Sequence, residues 1–231
     1  MFDITPTEWT AILLSLRVAT VATLVATPIG IALAWALARG NFWGKSFVDA
    51  LVHLPLVLPP VVTGYLLLLA FGRRGFLGAW LADHLGIVLV FRWTGAALAC
   101  GVMAFPLLVR PIRLSIEAVD RRLEQAAETL GAPPWRVFWN VTLPLSLPGV
   151  LAGMVLGFAK AIGEFGATIT FVSNIPGETQ TISSAIYSLI QTPDGDAAAL
   201  RLVAVSIVIA IAALIGSEWF ARRATQRLHG N

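Results

Sequence analysis

The chain has 231 residues, 57% of them hydrophobic and 13% charged, with a mean hydropathy of +0.80. A soluble domain of this length carries about 25% charged residues, so a water-soluble globular enzyme is excluded. The net charge of +3 and pI near 9.6 fit basic loops retained in the cytoplasm rather than a nucleic-acid partner.

The apolar residues fall into stretches of roughly 20, the length a helix needs to cross about 30 Å of hydrocarbon. The first predicted span runs from about Trp9 to Ala38 and is followed by Arg39 and Lys45. No basic residue precedes Arg17, so the N-terminus reads as mature rather than as a cleavable leader. Gly40 to Ser46 (GNFWGKS) resembles a phosphate-binding loop, but only three residues separate Gly40 from Gly44-Lys45-Ser46, where the loop needs four. It also follows a membrane span rather than a buried strand. Lys45 therefore reads as a charge anchor, and no ATP site is expected on this chain.

The second span, about Leu51 to Phe71, contains Pro55, Pro59 and Pro60 and is expected to kink or unwind. A glycine- and arginine-bearing loop at 72–78 leads to the third span, about Val88 to Val109, which contains the single cysteine, Cys100, as a packing residue. Residues 114–147 form the one long polar-rich block. The fourth span covers about Pro148 to Val172 and the last about Leu202 to Ala221. Residues 178–192 are too short to cross alone, at about 22 Å of helix. The expected fold is thus an all-α integral membrane protein. It is a polytopic bundle of five long spans, six with 178–192, and carries a cytoplasmic helix hairpin. One transmembrane domain covers 9–221, the hairpin lies within it at 114–147, and 222–231 is a basic tail.

Charge orients the bundle. With the N-terminus outside, Arg39, Lys45, Arg110, Arg113, Arg121, Arg122, Arg136, Arg222, Arg223 and Arg227 face the cytoplasm, ten of the sixteen basic residues. Arg73, Arg74 and Arg92 fall on the opposite side. His53, His84 and His229 are far apart and lack metal-ligand spacing, so neither metal nor cofactor is expected.

Within the polar block, Leu123, Ala126, Ala127 and Leu130 lie on one face of a short amphipathic helix. Gly131 terminates it, and Pro133-Pro134 opens a second helix bearing Trp135, Phe138 and Trp139, which Pro144 is expected to close. Small residues on one arm let another surface approach the backbone, and aromatics on the other make interface anchors.

The pattern Gln125-Ala126-Ala127, three residues, Gly131, nine residues, Val141-Thr142-Leu143-Pro144 resembles the cytoplasmic signature of ABC importer permeases. There Glu-Ala-Ala, glycine and Ile-x-Leu-Pro keep the same spacing. Gln125 stands where the family has Glu, although Glu124 precedes it, and Val141 stands for Ile. The resemblance implies that Glu124, Gln125, Ala126, Ala127, Gly131, Trp135, Leu143 and Pro144 couple the chain to an ATPase. Longer stretches, HLPLVLPPVVTGYLLL from His53, FPLLVRPIRLSIE from Phe105 and GEFGATITFVSNIPGETQTI from Gly163, are similar to molybdate permease subunits. Sulfate permeases share Gly163 to Gly166 but usually not Asn174 to Thr179. This resemblance implies a homodimer in a bacterial inner membrane with two ATPase subunits holding Mg-ATP and a periplasmic oxyanion-binding protein. It implies passage of molybdate, with tungstate or sulfate as alternatives.

Three further clusters are candidates. Gly149, Gly153 and Gly157 form a small-residue row suited to close helix packing, within the bundle or across a dimer. Lys160 and Glu164 place opposite charges one turn apart near mid-membrane, either as a structural pair or as a source of positive potential for an anion. Thr181, Ser184, Ser188 and Gln191 make a polar stripe that could line an anion path or simply lie at the interface. An ion-coupled secondary transporter is the competing class. Such proteins often show inverted repeats and paired broken helices; no repeat is visible here, and the hairpin would be unexplained.

Overall fold

The computed structural model describes residues 4–229, with side chains for 4–213, 215 and 216. Every element among them is helical. Helix α1 (Pro6–Arg39) begins with a reciprocal cap: the Thr5 hydroxyl accepts from the Glu8 backbone N–H, and the Glu8 carboxylate accepts from the Thr5 N–H. Pro6, at the first helical position, has no N–H to leave unmet.

The expected second span is two helices, α2 (Lys45–Val57) and α3 (Pro60–Phe71), meeting at 116°. The break is sharper than a kink because two prolines are adjacent. Each pushes its predecessor out of the helical region, and Leu58 and Pro59 take extended backbone. Helix α4 (Phe76–Leu85) begins inside the expected loop at 72–78 and runs on beyond it.

Helix α5 (Trp93–Ala118) starts later than expected and continues well past Arg110-Pro111. Burial explains the continuation: Ile112 and Ile116 are fully enclosed. Arg113 also donates to Asp49 of α2 (2.6 Å) and to Glu117 (2.8 Å). Helix α6 (Arg121–Thr129), capped by Asp120, is joined through Gly131 to α7 (Pro134–Val137).

Contrary to expectation, Pro144 closes nothing. A π turn at Phe138–Thr142 carries the chain into α8 (Leu143–Ile162) without interruption. In this wide turn the Leu143 N–H reaches back to the Phe138 carbonyl, which lets the proline ring sit where a regular turn would crowd it. The fourth span then breaks at residues 163–165 and resumes as α9 (Gly166–Val172). Residues 178–192 contain only α10 (Ile182–Leu189), about 12 Å long, so they do not span. Helix α11 (Asp196–His229) is last, and the side chains of the expected tail, Arg222, Arg223 and Arg227 included, lie outside those described.

Four helical stretches are long and apolar enough to cross a bilayer, and the bent α2–α3 pair makes a fifth. Helix α5 lies at the centre, packed along both α1 and α8. One core cluster joins α1 and α5 to α9, where Cys100 and Phe171 are fully buried. A second, around Leu108, Ile112 and Val150, joins α1, α5 and α8 towards the hairpin end.

Candidate functional site: the hairpin and the broken span

The glycine row packs inside the chain, on α5. A side chain at Gly149 would run into Ser115 and the Pro111 carbonyl, and one at Gly153 into the Leu108 carbonyl and Ile112. Gly157 is looser, with its nearest neighbours, the Leu108 side-chain atoms, at ordinary contact distance. This close approach brings α8 onto α5, and α8 is continuous with the hairpin.

The hairpin exposes what a finished surface would bury. Gly131 turns in the left-handed region (φ 85°), which costs a non-glycine residue energy. The turn leaves Leu130 89% exposed, with Leu123, Trp135 and Trp139 at least half exposed. Gln125 and Ala126 also face out, Ala127 is half-buried, and α6 has no buried residue. Leu143 and Pro144 are half-buried on the π turn's far side. Clustered apolar exposure of this kind marks an interaction face.

One residue of the set faces inward. Glu124 accepts from the Arg39 guanidinium (3.0 Å) and from the Thr142 hydroxyl (2.6 Å), and Arg39 also donates to the Val119 carbonyl (3.0 Å). The end of α1, the start of the hairpin and the π turn thus meet on a single carboxylate, beside a cavity of about 240 Å³. In the sequence Arg39 counts only among the cytoplasmic basic residues, and Thr142 is the variable position of the signature. The alignment of Glu124 one place ahead of the signature was the only hint, since nothing local signals a contact 85 residues away.

At the break in the fourth span, Lys160 and Glu164 form an ion pair of 2.7 Å. They are not one turn apart on a continuous helix, because α8 stops at Ile162. Glu164 lies in the gap, 1% exposed, and its other oxygen accepts from the Ala167 N–H at the start of α9 (3.0 Å). Lys160 keeps 29% of its side chain exposed. The carboxylate therefore holds both ends of the break, and the ammonium is the half that can reach a ligand.

The polar stripe points into the chain. Thr181 and Ser184 are buried with their hydroxyls 3.3 Å apart, and Ser184 donates to the Thr181 carbonyl. Ser188 donates to the Ser184 carbonyl and accepts from Asn174 (2.7 Å). Ser15 of α1 accepts from the Ile182 N–H (2.7 Å). These groups brace α10 against α1, and Gln191 is exposed beyond its end.

Residues 26–226 match the family model described as "binding-protein-dependent transport system inner membrane component". The chain belongs to this family. Among its relatives are molybdenum transport system permease proteins: that of Escherichia coli strain K12 is 59% identical over 97% of this chain and 98% of its own length. The Haemophilus influenzae protein is 58% identical over 96% of each. A bacterial ABC transporter that imports the polysaccharide alginate shares the fold, with a TM-score of 0.75 at 19% identity over 95% of this chain and 80% of that one. As a family member the chain is a multi-pass inner membrane permease component.

Proposed function

We propose that this chain is the permease subunit of an ATP-driven importer whose cargo is molybdate. The observation that carries the reading is the near-full-length identity of 59% to a molybdenum permease. The exposed apolar hairpin supports it by supplying a face for an ATPase. Two copies form the path between them, because one bundle of this size has little room for a hydrated conduit. Each copy docks one ATPase subunit, which supplies Mg-ATP, through Ala126, Gly131 and Trp135, and a periplasmic protein delivers the anion. The N-terminus lies outside and the hairpin and C-terminus in the cytoplasm, the placement that ten of the sixteen basic residues support.

Lys160 is the group we place nearest the anion. Its ammonium is partly exposed while its counter-charge is enclosed, so positive potential projects into the open side of the break. Thr181, Ser184 and Ser188 are spent on internal hydrogen bonds and act by holding α10 in place. Proteoliposomes containing the chain, its ATPase and its binding protein test the reading. ATP-dependent molybdate uptake that excess sulfate fails to suppress is the expected outcome. Uptake without ATP, or preference for sulfate, would sink it.

A further inference from the structure

Arg17 interrupts the apolar face of α1. The rise from Arg17 to Arg39 is about 33 Å at 1.5 Å per residue, close to the roughly 30 Å of a hydrocarbon core. On α5, Arg92 caps the start of the helix and lies about 27 Å from Arg110. Two exposed arginines therefore sit level at the same boundary, Arg17 about 17 Å along α1 from Pro6 and Arg92 at the start of α5. Among the described residues neither meets a carboxylate within ion-pair distance. Arg17 instead lies over the Trp93 ring, 3.8 Å from its centre, and cation–π contact leaves its donors free for another partner.

Trp93 is also one end of a groove. Between α1, α2 and α5 runs a cavity of about 580 Å³, bounded on α1 by residues from Val21 to Leu33 and on α5 by residues from Trp93 to Phe105. Its lining is almost wholly apolar. From Val21 to Leu33 it extends about 18 Å, the depth of one leaflet plus a few ångströms. Val25 and Ile29 lie along it more than half exposed. An apolar slot one leaflet deep, with unpaired cations at its mouth, matches one chemistry: a hydrocarbon chain carrying an anion at one end.

We infer that this groove is a binding site for an anionic phospholipid, with an acyl chain between α1 and α5 and the phosphodiester at Arg17 and Arg92. The site accounts for Arg92, which the charge rule leaves on the wrong side. Under the orientation proposed above the lipid belongs to the outer leaflet. The binding test does not depend on that orientation or on the cargo.

The purified chain, equilibrated in detergent with equal amounts of phosphatidylglycerol and phosphatidylcholine of matched acyl chains, is analysed for retained lipid by mass spectrometry. Retention favours phosphatidylglycerol by about fivefold or more. Arg17→Gln with Arg92→Gln abolishes the preference, and Val25→Trp, at an exposed position in the slot, lowers retention of both lipids. Equal retention by the unaltered chain, or a preference that survives the arginine changes, would overturn the inference. So would an efficient disulfide between copies carrying Val25→Cys and Leu98→Cys, because the groove would then be a seam between subunits.

Discussion

Two carboxylates, Glu124 and Glu164, hold a basic side chain each, yet they do different work. Glu124 ties together positions far apart in sequence, α1 through Arg39 and the π turn through Thr142, and both partners of its ion pair are only slightly exposed (14% and 13%). Glu164 ties together the two sides of a gap within one span and is itself enclosed. The first is a joint between the end of α1, the hairpin and the π turn. The second is a pin inside one body. The same chemistry joins distant segments in one place and fixes local shape in the other, and sequence separation tells them apart.

The sharpest way to break this contrast is Glu164→Ala. It strands Lys160 and leaves the Ala167 N–H unmet where water is scarce, so a loss of about 3–5 kcal/mol is expected. Size-exclusion profiles of fluorescently tagged protein should show collapse of the folded peak. A variant that elutes and melts like the unaltered chain would show that the pair pins nothing. Lys160→Met alone should also destabilise, because Glu164 is then buried without a counter-charge. Pairing it with Glu164→Gln should recover folding while molybdate uptake stays at least about tenfold down, the step expected for losing about 1.4 kcal/mol of attraction. Recovered uptake would take Lys160 out of the path.

Gly153→Val comes next. The added methyls meet the Leu108 carbonyl, and overpacking of this kind costs about 1–3 kcal/mol, visible as a lower melting temperature in detergent. Arg39→Gln should cost a similar amount, about 1.5–3 kcal/mol, and should lower the anion imported per ATP hydrolysed by at least about threefold. Exchanging the charges, Arg39→Glu with Glu124→Arg, should restore part of that ratio; no restoration would mean the pair is not the joint. The smallest stability effect belongs to Trp135→Ala. An exposed substitution shifts folding by about 0.5 kcal/mol or less, while retention of the ATPase on an affinity column should drop.

Much of this could be read in the chain because membranes simplify the problem. Span positions follow from length and hydropathy, and the helix starts at Pro6, Pro60 and Pro134 obey local proline rules. What could not be read was governed by contacts between segments. Helix α5 runs past Pro111 because Asp49 and Glu117 hold Arg113 and because Ile112 and Ile116 are enclosed. The polar stripe at Thr181 and Ser184 could be recognised by its spacing, but spacing does not say which way a face turns. Ser15, which fixes that direction, looks like an ordinary small residue in the first span. Glu164 was legible as a charge and not as a cap, because the break at Gly163 has no proline to announce it.

The uninterrupted run from Pro134 to Ile162 has a mechanical meaning. About 43 Å of helix joins the aromatic-bearing tip to the neighbourhood of Lys160. A rod of that length tilted by about 5° displaces its far end by roughly 4 Å, more than the radius of a water molecule and enough to open or shut a passage. Had Pro144 ended the helix, a soft elbow would have absorbed that swing. The widened turn at Phe138–Thr142 keeps the helical run continuous, and under the docking proposed above a push on Trp135 is carried along it toward Lys160.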